Sequence, residues 1–262
     1  MRKTLFLPIC LLILTGAVAT SGLPAWPNID NPAPEGPTAA ARLGASVARL
    51  KDGRLLISGG AGDNGVPVRT AEIFKDGSTS QAASMFNPRT RHASVTLKDG
   101  RVFVTGGSTL SGPTNVTEIY DPATNKWRMT SQMVVPRAGH TMTLLSDGRV
   151  LVAGGTDSAD TGSSVSIYDP ATDQFSLAGQ LTVARANHVA GLARGNKVII
   201  AGGNDVSGNA VIYSEIFDPR TGISTPDRPL LLAHRSTSDD QTPWAAVVSW
   251  LGFSPSDTAR GK

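Results

Sequence analysis

A pair of adjacent glycines recurs four times along the chain, at intervals of 47, 48 and 48 residues. A period of this length indicates repeated supersecondary units, each too small to bury its own hydrophobic face. The chain is therefore expected to fold as a series of four similar units that pack against one another. The pairs are Gly59-Gly60, Gly106-Gly107, Gly154-Gly155 and Gly202-Gly203.

Two short apolar segments separated by a tight turn precede each glycine pair. In the first unit the segments are residues 46–50 and 55–58. An Asp-Gly turn between apolar, β-branched runs is a strong hairpin signal, because glycine accepts the positive φ that such turns require. The turn dipeptides are Asp52-Gly53, Asp99-Gly100, Asp147-Gly148 and, in the fourth unit, Gly195-Asn196.

Aromatic residues follow the glycine pairs at fixed distances. The first lies 13 or 14 positions after the second glycine, and in three units it begins an aromatic-Asp-Pro turn. These residues are Phe74, Tyr120, Tyr168 and Phe217. Twenty positions after the pair stand Trp127, Phe175 and Ile223, with Ser80 in the first unit. We expect these later residues to lie on a fourth strand of each unit.

Arginine and histidine also repeat in register. An arginine stands eighteen positions before the second glycine, at Arg42, Arg89, Arg137 and Arg185. A histidine stands fifteen positions before it in three units, at His92, His140 and His188, with Ala45 in the first.

Each unit of about 48 residues thus holds four short strands and no helical periodicity. Four-stranded units that repeat favour an all-β fold in which the sheets are the blades of a β-propeller. A parallel β-helix has shorter coils, and a leucine-rich repeat needs closely spaced leucines that this chain lacks.

The order Arg-x-x-His, apolar strand, Asp-Gly-Arg, apolar strand, Gly-Gly and aromatic-Asp-Pro resembles the kelch repeat, from residue 42 to about 230. Some secreted proteins, among them galactose oxidase, have kelch-like propellers. The resemblance implies blades at residues 42–88, 89–136, 137–184 and 185–232. It also implies that the glycine pairs permit close backbone packing and that the later aromatics fill the space between blades.

Kelch propellers generally have more than four blades, and here the pattern ends after Pro229, so residues 233–262 are expected to form a non-repeat tail. We interpret the chain as a truncated or frame-shifted member of a longer propeller family. Two alternatives stay open, namely a four-bladed ring and an open arc. An open arc would leave a blade face exposed and would favour association with another copy.

The first nineteen residues have the layout of a secretory signal peptide. Arg2 and Lys3 precede the apolar run 5–14, and a small-x-small site ends at Ala19. Cleavage there would reduce the net charge of +3 to 22 − 21 = +1. No basic stripe that predicts nucleic-acid binding would remain. The only cysteine, Cys10, lies in the apolar run.

The mature chain is therefore expected to have no thiol, no membrane span and a Pro-rich lead-in at residues 20–41. We expect it to be secreted, into the periplasm or the extracellular space.

Two groups are weak candidates for binding. The four repeated arginines could form an arc at the mouth of the axial channel and hold a carboxylate or sulfate, or they could simply build the blades. Asp157 and Asp160 could join backbone carbonyls around calcium, although they match no full loop signature and could be ordinary turn residues. The histidines could share zinc, but their repetition favours a structural role. No metal site or cofactor is predicted.

Two functional classes remain. The first is a non-catalytic binding or scaffold module that recognises a protein or glycan through the variable loops after the glycine pairs. No nucleophile, base and orienting residue stand together outside the repeat, which favours this class. The alternative is a remnant of an enzyme similar to galactose oxidase, whose copper site requires a tyrosine crosslinked to a cysteine. The loops are residues 61–69, 108–115, 156–164 and 204–210.

Overall fold

The computed structural model describes residues 42–62, 64–155 and 162–229. The predicted signal peptide, the Pro-rich lead-in and the non-repeat tail lie outside these residues, as do Asp157 and Asp160. Within the described ranges, no helix is long and apolar enough to cross a bilayer.

Four antiparallel four-stranded sheets, one in each repeat, form the blades of a propeller and confirm the predicted all-β fold. Blade 1 contains β1 (Ser46–Arg49), β2 (Leu55–Ser58), β3 (Ala71–Lys75) and β4 (Ser78–Ala82). Blade 2 contains β5 (Ala93–Thr96), β6 (Val102–Thr105), β9 (Thr117–Asp121) and β10 (Lys126–Met129). A separate two-stranded hairpin, β7 (Ser108–Thr109) and β8 (Gly112–Pro113), interrupts blade 2.

The other two blades repeat the same strand order from the inner to the outer edge. Blade 3 contains β11 (Thr141–Leu144), β12 (Val150–Ala153), β13 (Ser164–Asp169) and β14 (Gln174–Gln180). Blade 4 contains β15 (Val189–Leu192), β16 (Val198–Ala201), β17 (Tyr213–Asp218) and β18 (Ile223–Pro229). A 3₁₀ turn, η1 (Arg194–Asn196), replaces the Asp-Gly turn between β15 and β16.

The Asp-Gly-Arg turns are closed by their own side chains. Gly100 has a φ of 97°, and Asp99 accepts hydrogen bonds from the backbone N–H of Arg101 at 3.0 Å and from its Nε at 2.8 Å. The same bonds occur in the first and third blades. The aspartate therefore fixes both the turn and the arginine that follows it.

Three apolar clusters fill the three spaces between consecutive blades. The first joins blades 1 and 2 and includes Leu56, Ile73 and Trp127. The second joins blades 2 and 3, where the rings of Phe103 and Tyr168 stack with centroids 4.1 Å apart. The third joins blades 3 and 4. Successive side chains point to opposite faces of a sheet, and β6 and β12 are buried along their whole length because both faces of blades 2 and 3 are covered by neighbouring blades.

The residue twenty positions after the glycine pair lies on the fourth strand in all four blades, as predicted, and in two of them it packs on the first aromatic. Trp127 lies opposite Tyr120, and Phe175 lies opposite Tyr168. Ile223 lies on the fourth strand, β18, as predicted, but its side chain is 60% exposed. In blade 4 the aromatic Phe217 stands 14 positions after the glycine rather than 13, so Ser224 is the residue that lies opposite it.

The first glycine of the pair lies against the start of the next blade in blades 1, 2 and 3. A Cβ atom on Gly106 would stand 2.4 Å from the carbonyl oxygen of Arg137, and Gly106 has a φ of 59°. Gly59 and Gly154 have the same relation to Arg89 and Arg185. Only glycine allows both the backbone conformation and this approach.

Candidate functional site

The repeated arginines lie inside the blades. Arg89, Arg137 and Arg185 are at most 1% exposed. Nη1 of Arg89 donates to the carbonyl oxygens of Gly106 and Val116 at 2.8 Å, and Nη2 donates to Glu118 Oε1 at 2.7 Å. Arg185 forms the equivalent ion pair with Glu215, and Arg42 pairs with Glu72.

These contacts give Arg89, Arg137 and Arg185 no exposed face, so the described arginines do not form an open arc at the axial channel. Burial lowers the pKa of Arg89 and Arg185, and the paired glutamates oppose that shift. In Arg137, burial lowers the pKa to about 10. The arginines instead tie the strand ends of each blade to its inner edge.

The repeated histidines are also interior. Nε2 lies 3.2 Å from Ser58 Oγ in His92, 2.7 Å from Thr105 Oγ1 in His140 and 2.9 Å from Thr141 Oγ1 in His188. Burial lowers the pKa of His92 and His188 to about 3 and that of His140 well below its ordinary value, so all three are neutral at pH 7. In the described part of the chain, no group of three or more His, Cys, Asp or Glu residues could hold a metal ion.

A chain of backbone hydrogen bonds connects the four blades through the third residue of each Arg-x-x-His segment. Arg91 N–H donates to the carbonyl of Gly44 at 2.7 Å, Gly139 N–H donates to Arg91 at 2.9 Å, and Asn187 N–H donates to Gly139 at 2.7 Å. All four residues have φ between 55° and 70°. We call this series, residues 44, 91, 139 and 187, the axial chain.

The side chain of Arg91 bridges two blades that are not consecutive. Its Nη2 donates to Asn187 Oδ1 at 3.2 Å. A Cβ on Gly139 would stand 2.6 Å from this Oδ1 and 3.1 Å from Nη2, so the bridge passes directly over Gly139. Arg91 is exposed, and no acidic residue in the described ranges forms an ion pair with it. Arg91 is thus an accessible cation above the axial chain.

The variable loops begin beside the axial chain. Ala61, Ser108 and Asn204, just after the glycine pairs, form β-bridges with Leu43, Thr90 and Ala186. Those three partners each directly precede a residue of the axial chain. Three loops therefore stand around the exposed Arg91. We call residues 61–62 with 64–69, 108–115 and 204–210 the loop crown.

Each loop of the crown carries an exposed aliphatic side chain next to, or two positions from, a glycine with positive φ. The side chains are Val66, Leu110 and Val206, which are 38%, 78% and 63% exposed. The glycines are Gly65, Gly112 and Gly208. In the last loop Asp205 accepts hydrogen bonds from the backbone N–H groups of Ser207 and Asn209, which holds the tip. The crown combines turns with exposed apolar tips, and it stands around the exposed guanidinium of Arg91.

The sequence indicates that these loops are variable, but it does not select Arg91 or Asn187 as candidate binding residues. Both stand in the variable second position between the repeated Arg and His, so the repeat pattern gives no reason to select them. One signal in the sequence does mark this position, because Gly44 and Gly139 occupy it in two of the four units. Glycine there indicates that the backbone has a positive φ at this position in all four units.

Comparisons with known proteins agree with this architecture. The Kelch motif model matches residues 88–134 and 136–182, which correspond to blades 2 and 3. A search of curated proteins found no match. A solved structure titled "Structure of YjhT" is similar, with a TM-score of 0.60 and 19% identity. The alignment covers 73% of this chain and 66% of that chain, so this chain spans less than two thirds of it.

The identity to that structure is low, and the likeness therefore concerns the fold alone. The Kelch motif matches agree with the observed structure, because they fall in register with the Arg-x-x-His segments, the glycine pairs and the four-stranded sheets. The chain is therefore a β-propeller whose second and third blades are kelch repeats.

Proposed function

We propose that this chain is an exported, non-catalytic module that binds a protein ligand through the loop crown. Kelch propellers in general support binding or scaffold functions, and the rigid blades here hold the loops in place. The layout of residues 2–19 as a signal peptide supports export.

The observation that carries the proposal is the position of the exposed aliphatic tips around Arg91. Arginine is enriched in protein interfaces, and the buried core of an interface is more apolar than the rest of the surface. Val66, Leu110 and Val206 supply apolar contact area, and Arg91 supplies a charged donor that matches an acidic side chain of a partner.

The chemistry of the loops favours protein over glycan. None of the four loop sequences contains an aromatic residue whose ring would stack on a sugar face. Aliphatic tips are better suited to an apolar side chain of a protein partner. A glycan ligand is the alternative outcome of the test.

The test compares binders selected from a displayed peptide library with binding to a glycan array, both using the mature chain. The variant L110E/V206E should lose at least about tenfold in affinity for the selected peptides, because it places charges in the apolar contact. The matched control L177E changes an exposed leucine on β14, the outer strand of blade 3, which is not part of the loop crown. This variant should bind as the wild type does.

Peptide binding that is indifferent to the crown variant would refute the proposed site. Sugar binding without peptide binding would replace the protein ligand by a glycan. A copper-loaded peroxide-release assay on simple sugars tests the oxidase alternative, and turnover there would refute the non-catalytic assignment.

A further inference from the structure

One blade lacks the glutamate that neutralises its buried arginine. The glutamate lies on the third strand of blades 1, 2 and 4, opposite the residue three positions before the second glycine. In blade 3 this position is Ser166, which lies opposite Val152. The glutamates are Glu72, Glu118 and Glu215.

In blades 2 and 4 the carboxylate does more than pair with the arginine. Glu118 accepts hydrogen bonds from the backbone N–H groups of Phe86 at 2.7 Å and Asn87 at 3.2 Å. Glu215 accepts from the N–H of Thr182 at 2.6 Å. These donors precede the blade's arginine by two or three positions. The carboxylate is therefore surrounded by donors from two directions.

Blade 3 keeps these donors without the carboxylate. Arg137 remains 1% exposed, and its Nη1 donates to the carbonyl oxygens of Gly154 and Ser164. Its Nη2 donates to Ser164 Oγ at 2.7 Å. A hydroxyl is neutral and leaves the positive charge uncompensated. No acidic side chain in the described ranges forms an ion pair with Arg137.

The backbone donors of the linker before Arg137 are also available. Val134 and Val135 correspond to Phe86 and Asn87, and their N–H groups have no hydrogen-bond partner among the described residues. Val134 is 67% exposed, as expected of a linker at the surface.

A buried cation with no counter-charge is costly, and a donor-lined position from which a carboxylate side chain is missing suits an anion of the same size. We propose that Arg137, the hydroxyl of Ser166 and the amides of Val134 and Val135 bind one monovalent anion, formate or chloride, where the other blades have a glutamate carboxylate. This anion site is separate from the loop crown and does not depend on the proposed function.

Thermal unfolding in different potassium salts at equal ionic strength tests the site. Chloride and formate should raise the melting temperature of the full mature chain relative to gluconate, which is too bulky to enter. At ten times its Kd an anion that binds only the folded state should give a rise of about 3–6 °C.

Two substitutions should change the effect of chloride on the melting temperature in opposite directions. S166E supplies the missing carboxylate and should abolish the difference between chloride and gluconate while raising the melting temperature in gluconate. E118S removes the carboxylate of blade 2 and should enlarge the chloride effect by creating a second site. A wild type with equal melting temperatures in the three salts, or an S166E variant that keeps the full chloride effect, would overturn the proposal.

Crystals grown in bromide provide a test that does not depend on any variant folding. Anomalous scattering should show one bromide within hydrogen-bond distance of Arg137 Nη2. A position occupied only by water would show that the anion is absent and would overturn the proposal.

Discussion

The indole N–H of Trp127 in blade 2 donates to the carbonyl oxygen of Ala83 in blade 1 at 2.7 Å. The N–H of the same Ala83 donates to Asn125 Oδ1 at 2.8 Å, and this oxygen also accepts from the hydroxyl of Tyr120. Both the backbone N–H and the backbone carbonyl of Ala83 in blade 1 are thus hydrogen-bonded to side chains of blade 2. The Tyr120 to Trp127 turn therefore connects the outer edges of the two blades.

Replacing Trp127 by phenylalanine should lower stability by about 1–2 kcal/mol, because the ring is kept while the carbonyl of Ala83 loses its donor. Replacement by alanine should cost about 3–5 kcal/mol, because the cluster between blades 1 and 2 also loses its largest side chain. Urea denaturation measures both. A W127F variant as stable as the wild type would show that the hydrogen bond contributes nothing separable from packing.

Substitution of a glycine in the repeated pair should be far more damaging than substitution of a turn glycine. Gly106 and Gly77 both have positive φ, at 59° and 80°. A Cβ on Gly77 meets nothing within 4 Å, whereas on Gly106 it meets the backbone of the next blade. G77A should cost about 1–2 kcal/mol from the left-handed backbone alone. G106A should cost more than G77A or prevent folding.

The comparison is made by circular dichroism and thermal unfolding of the two variants. A G106A protein as stable as G77A would mean that the blades move apart without cost. That result would contradict the close packing of the glycine pairs.

Stability should fall as the pH is lowered from 7 to 4.5. His92 and His188 have pKa values of about 3 in the folded chain against 6.5 when unfolded, since burial opposes their charge. The unfolded state therefore binds more protons in this window, and folding loses on the order of 2 kcal/mol per histidine by pH 4.5. The described aspartates with lowered pKa titrate below this window, so they do not obscure the effect.

H188Q isolates one of these contributions. Its amide is able to replace the bond to Thr141 Oγ1 and does not titrate. The variant should show a shallower decline of the unfolding free energy between pH 7 and 4.5 than the wild type. An unchanged slope would place the acid sensitivity elsewhere.

We predict association at high concentration through the outer faces of blades 1 and 4. The apolar clusters join consecutive blades, and in the described part of the chain none joins blade 4 to blade 1. Ile57 and Phe74 on blade 1 and Ile199 and Ile216 on blade 4 are half-buried. Such apolar faces favour self-association.

Sedimentation velocity of the mature chain across a hundredfold range of concentration, roughly 1–100 μM, measures this. I57E should reduce association, whereas L177E on the exposed outer strand of blade 3 should not. A single monomer species throughout the range would contradict the prediction.

The sequence was sufficient for the fold because each blade marks its own boundaries. Asp99-Gly100 places one hairpin, Gly106-Gly107 ends the second strand, and Tyr120 begins the next turn. Ile223 lies on its predicted strand but is exposed, because one extra residue in the loop before Phe217 shifts the strand register, and counting from the glycine pair does not detect this. A register shift of one residue exchanges the two faces of a strand.

The site was less accessible to sequence reasoning. Repetition drew attention to Arg89 and His92, which are interior, and away from Arg91 between them, which is exposed. The absence of a glutamate at Ser166 becomes visible only when strand pairing shows which residues occupy the same position in each sheet. Binding groups on a repeated scaffold lie where the repeat varies, so the pattern that reveals the fold conceals them.

The axial chain has a direction, since each later unit donates to the one before it. A duplicated unit inserted into such an array would bring its own donor for its predecessor and its own acceptor for its successor. Lengthening the protein by copying a unit therefore calls for no new joining chemistry, and blade number is left to the packing of the sheets.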